Sequence, residues 1–314
     1  MTGAPSHIRP ATRGDLPEIL DLLIACDGAT VGVPDTDASD IEGDWDLAGF
    51  DLARDTWLAE GPQGAVGYAY AGDQLHTGEL ESDVWVHPGH AEPELRDRLL
   101  ALAERRGREL AAERGHASAS LDVFCISLDH AKRDVLRRRG YEVRRTVYRM
   151  GADLTGDVPL QPPPDGIEIR PFREEQAAAM RGTMDEAFED HFRQSEEPFD
   201  AWKRRLLGHP QFDPDLWLIA WDGDEPAGAL ICFDYDDLAY VQGLAVRRPW
   251  RRRGLGLALL TAAFERLAAR GQLRVELGVD AEGKTQPLRL YERAGMRVTF
   301  TYELYAKDLT EPEP

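Results

Sequence analysis

The strongest constraint this chain places on its own fold is that it states one plan twice. His7-Ile8-Arg9-Pro10-Ala11-Thr12 opens the first statement and Ile169-Arg170-Pro171-Phe172 the second, and each leads into an amphipathic run, GDLPEILDLLIACD and REEQAAAMRGTMDEAF. Each opening stands about as far from a similar ending, RDVLRRRGYEVRRTVYRM in the first half and RLYERAGMRVTFTYELY in the second. A period of roughly 160 residues is too long for a stacked solenoid and reads as duplicated domains. The length of 314 residues is comfortable for two cores. Between the copies, TGDVPLQPPPD at Thr155–Asp165 carries prolines that disfavour helix and central strand. The expected organisation is therefore an N-terminal domain over 1–154, a Pro-rich linker over 155–165 and a C-terminal domain over 166–314.

Within each half the patterning predicts a strand, one or two helices, three strands, a helix, a strand, a helix and a closing hairpin-like pair. The later strands are expected at Thr56–Leu58, Ala65–Ala71, Leu80–Val86, Ala119–Ile126 and Glu142–Met150 in the first half. In the second they fall at Leu216–Trp221, Ala227–Phe233, Leu238–Val246, Leu273–Val279 and Arg297–Lys307. Strands and helices mixed in this way imply an α/β sandwich around a central sheet.

The chemistry concentrates in residues 241–260, which pass from a strand through Arg251-Arg252-Arg253-Gly254-Leu255-Gly256 into a helix. That helix carries Leu255, Leu259, Leu260, Ala263, Phe264 and Leu267 on one face and ends at Gly271. Glycines let the backbone approach a ligand, the first helical N–H groups point outward, and arginines add forked donors. The combination suits a pyrophosphate at a helix N-terminus. On composition alone, three arginines beside two glycines also describe a solvated turn. A dinucleotide loop fits less well, because its third glycine would fall at Leu259.

An R-x-x-G-x-G run five residues after a strand ending Leu244-Ala245-Val246 resembles the acyl-CoA loop of the GNAT superfamily of N-acetyltransferases. Downstream, PLRLYERAGM resembles that family's closing helix, with L-Y-x-x-x-G-[FM] at Leu290, Tyr291, Gly295 and Met296. The layout is similar to that of its tandem members. The resemblance implies an α/β fold of two tandem GNAT-like domains, each a mixed, splayed central sheet flanked by helices. It implies acetyl-CoA as co-substrate, bound by the backbone of Leu244, Ala245 and Val246 and by Arg251, Arg252, Arg253, Gly254, Leu255 and Gly256. One N–H of the strand would face the thioester oxygen and stabilise the charge that develops there. Asp280 stands where relatives often carry asparagine and is kept as a pantetheine contact, able to accept but not donate; Gly283 and Pro287 also differ from the common pattern. Tyr291 is implied as the general acid for the departing thiolate.

Two departures stand out. Relatives that acetylate amines often carry a glutamate six residues before the strand-ending valine, and here that place holds Tyr240. The base is therefore unassigned: Asp236 and Asp237 are candidates through a water, and Glu186, Asp190 and His191 in DEAFEDHF are others. Glu186, Asp190, His191 and Phe192 are expected at the acceptor, with Phe188, Trp217 and Phe233 as further walls; each also reads as an exposed charge or a core aromatic. In the first half, Val86 is followed at five, eight and ten residues by Ala91, Glu94 and Arg96, where Val246 is followed by Arg251, Gly254 and Gly256. A carboxylate in place of the first glycine repels phosphate, and Leu136 stands where the second half has Tyr291. The first half is expected to be a degenerate copy.

A formal net charge of −20 argues against nonspecific nucleic-acid binding. No apolar run approaches a membrane span, and MTGAPSHIRP has no signal-peptide core, so a cytoplasmic protein with no membrane partner is expected. Cys26, Cys125 and Cys232 lack C-x-x-C spacing and the eight histidines are scattered, so no metal is expected. The leading expectation is an N-acetyltransferase acting by direct attack on a primary amine of a small molecule. A noncatalytic acyl-CoA-binding module and a peptide or protein acetyltransferase are the alternatives.

Overall fold

A computed structural model describes residues 7–32, 36–62, 64–74, 76–90, 94–156, 160–189, 198–235, 238–281 and 288–310. The chain forms two units, Met1–Thr146 with Thr301–Pro314, and Val147–Phe300.

The first unit takes β1 (His7–Arg9), α1 (Leu16–Thr30), α2 (Ala38–Trp45), α3 (Leu52–Asp55), β2 (Thr56–Gly61), β3 (Gly64–Gly72), β4 (Glu79–Val86), α4 (Leu95–Arg114), β5 (Ser120–Ile126) and α5 (His130–Arg138). Next comes β6 (Glu142–Asp153), whose residues 147–153 pair in the second unit. The second unit continues with β7 (Ile167–Pro171), α6 (Ala177–Phe188), α7 (Phe199–Leu207), β8 (Leu218–Asp222), β9 (Glu225–Asp234), β10 (Ala239–Val246), α8 (Leu255–Ala269), β11 (Arg274–Asp280) and α9 (Leu288–Arg293). Last is β12 (Arg297–Asp308), whose residues 302–308 pair with β5 in the first unit.

Both sheets are mixed as expected: four antiparallel strands, then a parallel pair, β4 with β5 and β10 with β11. Helices cover both faces of each sheet. In the second unit α8 packs on one face, and α6 and α7 lie on the other with Trp217 and Phe233. The closing hairpin expected in each half is not found. Each half ends in one 12-residue strand, whose later residues pair in the sheet of the other half.

Duplication is visible in packing detail. Gly67 of β3 faces Leu95 and Leu99 of α4, and Gly228 of β9 faces Leu255 and Leu259 of α8. A Cβ on Gly228 would lie 2.9 Å from the Ala245 carbonyl oxygen and 3.0 Å from Leu259 Cδ1, so the helix can seat only on a bare backbone. We expect Gly228→Ala to cost about 1–3 kcal/mol through overpacking. Urea titration should show a lower midpoint at unchanged slope; an unmoved midpoint would mean the strand and helix separate freely.

Candidate active site

Strand pairing sets the site. β10 and β11 are paired at Ala239–Val275 and Tyr240–Glu276, and beyond those residues they diverge. At the same point the β9–β10 ladder shifts register between Val241 and Gly243. Such a bulge takes one residue, here Gln242, out of the regular ladder and re-aims its neighbours. The corresponding β3–β4 ladder of the first unit runs from Gly67–Val86 to Gly72–Glu81 without a shift.

From Val246 the chain turns into α8 through backbone that few residue types accept. Gly254 is the N-cap at φ +88°, and Arg252 also lies at positive φ, +62°. The first amides of α8 have no acceptor within the helix. Arg252 and Arg253 are exposed. Arg251 turns back, its Nε donating to the Val246 carbonyl at 3.0 Å, and so braces the loop against the strand. Gly256 serves packing: a Cβ there would meet Leu290 Cδ1 at 2.8 Å, so α8 carries α9 close beside it. Leu255 is buried in the core. In the first unit the N-cap of α4 is Glu94, at φ −89°, so the left-handed turn is replaced as well as the charge.

Tyr291 lies half-buried on α9, at the edge of the core under α8. Burial first, and then the neighbouring Tyr240, push its hydroxyl up to about 12. Tyr240 is half-buried, and its hydroxyl lies near Gly278, where a Cβ would sit 3.2 Å from it. Glu276, Gly278 and Asp280 alternate with Val275, Leu277 and Val279, the latter three facing the α8 core. On the Glu276 face the guanidinium of Arg149, from β6, sits over the Tyr240 ring at 4.4 Å, and its Nε donates to Glu276 Oε2 at 2.7 Å. Arg274 Nη2 reaches Glu276 Oε1 at 3.3 Å.

Glu186, expected at the acceptor, accepts from Arg247 Nε at 2.6 Å and from the Arg248 N–H at 3.1 Å. The Arg247 hydrogen bond, foremost, holds its carboxyl below the usual range, which suits a clamp on the loop and makes a poor proton acceptor. Trp217 and Phe233, expected as walls, are instead core, 0% and 3% exposed, because Trp217, just before β8, and Phe233 of β9 pack with the residues of α6 and α7. Phe188 packs at the edge of the same cluster. Asp190, His191, Phe192, Asp236 and Asp237 lie outside the described residues. Sequence reading missed Arg149 and Glu276. Strand alternation could have put Glu276 on the face opposite Val275 and Leu277; nothing local signals Arg149, which comes from the other half of the chain.

The first unit has a cavity of about 610 Å³ where β4 and β5 diverge, lined among others by Cys26, Asp83, Arg96, Cys125, Asp129 and Lys132. Its charges are paired, Lys132 with Asp83 and Arg96 with Asp129 at 2.9 Å. Burial pushes the Cys26 and Cys125 thiols up to about 12, so both keep their protons. Among the described residues no His/Cys/Asp/Glu group is disposed to hold a metal ion, and no helix is long and apolar enough to cross a membrane.

Residues 178–296 match the model of the acetyltransferase (GNAT) family. Over 256 residues the chain is 30% identical to a mycothiol acetyltransferase of Streptomyces scabiei, covering 78% of this chain and 77% of that protein. A GCN5-related N-acetyltransferase from Sphaerobacter thermophilus superposes with a TM-score of 0.79 at 28% identity, over 100% of this chain and 98% of that one. A tandem GNAT protein from the clavulanic acid biosynthesis pathway shares the fold, with a TM-score of 0.72 at 15% identity over 98% and 99% of the two chains.

Proposed function

Because this chain belongs to the acetyltransferase (GNAT) family and is an acyltransferase of the N-acetyltransferase type, we propose that it transfers an acetyl group from acetyl-CoA to a primary amine of a small molecule, by direct attack within the second unit. The observation that carries this is a conjunction: diverging parallel strands, a bulge at their parting and a left-handed glycine opening the next helix, together in the second unit. In the first unit the described β3–β4 ladder runs without a bulge and the α4 N-cap is Glu94 at negative φ. The name carried by relatives such as that of Streptomyces scabiei supports a small-molecule acceptor.

The residues fit acetyl-CoA as substrate. A Cβ at Gly254 would meet nothing within 4 Å, so the backbone ahead of α8 is open to a ligand. The α8 amides with Arg252 and Arg253 would hold the pyrophosphate, while backbone groups of Leu244, Ala245 and Val246 would hold the pantetheine arm beside Asp280. Tyr291 donates its proton to the sulfur as the thiolate departs. Positioning both reactants in the cleft supplies much of the remaining rate.

Calorimetric titration of the intact protein with acetyl-CoA tests the reading, alongside an Arg251→Glu/Gly254→Glu variant. We expect one site, lost in the variant, because a carboxylate at the helix N-terminus opposes the pyrophosphate and Glu at position 254 resists positive φ. Two sites would show that the first unit also binds acetyl-CoA. No binding by the native protein would sink the reading.

A further inference from the structure

We propose that Tyr240 receives the acceptor, accepting a hydrogen bond from a neutral, weakly basic primary amine, and that Arg149 is the positioning residue that holds it there. The inference rests on the reading of the second unit as an acetyltransferase centre and names the acceptor class.

Four observations converge on Tyr240. It occupies the last paired position before β10 and β11 part, opposite Glu276. The bulge follows it directly. Its hydroxyl reaches toward Gly278, an exposed position without a side chain to cover it. It also lies close enough to Tyr291, on α9, to influence that residue's ionisation.

The ring is fixed from beneath. Arg149 stacks on it at 4.4 Å and is itself anchored by Glu276 at 2.7 Å. Gly151 makes room for this anchor, since a Cβ there would come within 3.3 Å of Glu276 Cγ. Among the described residues, the charged and titratable groups that face it include Arg149 from β6, Glu276 from β11 with Arg274 on its second oxygen, and Tyr291 from α9. Both Glu276 oxygens are engaged by arginines.

The consequence concerns charge. A phenol offers lone pairs to an amine N–H but no full counter-charge to an ammonium, and the carboxylate nearest to it, Glu276, is already engaged by arginines. Amines such as an α-amino group beside a carbonyl, with a reference value of about 8, supply neutral nucleophile near pH 8. Alkylamines, whose values lie near that of lysine at about 10.4, do so far less. In the transfer, the amine nitrogen forms the C–N bond as C–S breaks. Tyr291 gives its proton to the thiolate and takes the surplus proton from the new amide nitrogen, so a neutral amine and the thioester become amide and thiol without an external base.

The test uses the full chain, acetyl-CoA and a panel of primary amines graded from amino-acid amides to alkylamines, with thiol release followed at pH 8. We expect the native protein to favour the weakly basic members. Tyr240→Phe keeps the ring under Arg149 and should lower acceptor kcat/KM about ten- to a hundred-fold while leaving calorimetric acetyl-CoA binding unchanged. Tyr240→Glu restores a carboxylate and should move the preference toward alkylamines and the acidic limb of kcat/KM to lower pH. Arg149→Gln should raise acceptor KM more than it lowers kcat. A Tyr240→Phe protein with native kcat/KM across the panel, or a Tyr240→Glu protein with unchanged preference, overturns the inference and leaves the acetyltransferase reading standing. Absence of turnover by the native protein with every amine overturns both.

Discussion

Replacing Tyr291 by phenylalanine should leave acetyl-CoA binding intact and reduce turnover about a hundred- to ten-thousand-fold, the range for loss of a positioned general acid. Phenylalanine preserves the ring at the edge of the α8 core, so the change removes one hydroxyl and little packing. The pH profile separates this role from a structural one. An acid must carry its proton to act, and Tyr291 loses it only as pH rises through about 12, because burial and then Tyr240 disfavour its phenolate. Native kcat should therefore show no alkaline decline centred on about 10, where an ordinary tyrosine ionises. Stopped assays from pH 6 to 10 with saturating acetyl-CoA check both points. Native turnover in the phenylalanine variant would remove Tyr291 from the mechanism.

The second large effect should follow from cutting the chain at its linker. A fragment of residues 155–314 contains every motif of the acetyl-CoA loop, yet we expect it not to unfold cooperatively and not to bind acetyl-CoA. It lacks residues 147–153, the antiparallel neighbour of β11, and with them the core residue Met150 and the arginine that pairs with Glu276. An exposed strand edge beside uncovered apolar surface favours association over folding.

The fragment's own β12 could be asked to fill the gap. Counted from Gly140 and Gly295, Arg149 and Leu304 both stand nine residues on, and Gly151 and Ala306 eleven on. β12 in that place would set leucine where Arg149 sits and a methyl group against Glu276 Cγ. Glu276 is 7% exposed; stripping one partner from a buried ion pair costs about 3–5 kcal/mol. Circular dichroism melts and size-exclusion chromatography of 155–314 beside a 141–314 fragment test this, the longer one being expected to recover folding. A cooperative melt and acetyl-CoA binding by 155–314 would show that β12 substitutes for β6.

Much of this was legible in the residues. Gly254 and Gly256 announced a helix opening, though for different reasons: Gly254 needs a positive φ, Gly256 the close approach of Leu290. The strand end at Val246 and the helix that carries Tyr291 were legible too. Less legible was the fate of single side chains. Glu186 and Trp217 have the composition of site residues, but an arginine clamp and a full core claim them, and neither leaves a local mark in sequence.

The sequence by itself determined the two copies of a mixed sheet, the glycine-opened helix after Val246 and the replacement of that glycine by Glu94 in the first copy, because these follow from local periodicity, glycine conformation and charge. Only the tertiary structure decided which closing strand completes which sheet. β6 and β12 present the same backbone hydrogen bonds in the same register, Val147 opposite Asp280 and Tyr302 opposite Ile126. What distinguishes them is long-range charge pairing, Arg149 with Glu276 in one sheet and Lys307 with the fully buried Glu104 at 2.9 Å in the other. Unexchanged, Glu276 would face Leu304 in place of Arg149, and Glu104, held otherwise by Arg139 of its own half, would face Ala152 in place of Lys307, so each buried carboxylate would lose one of its cations.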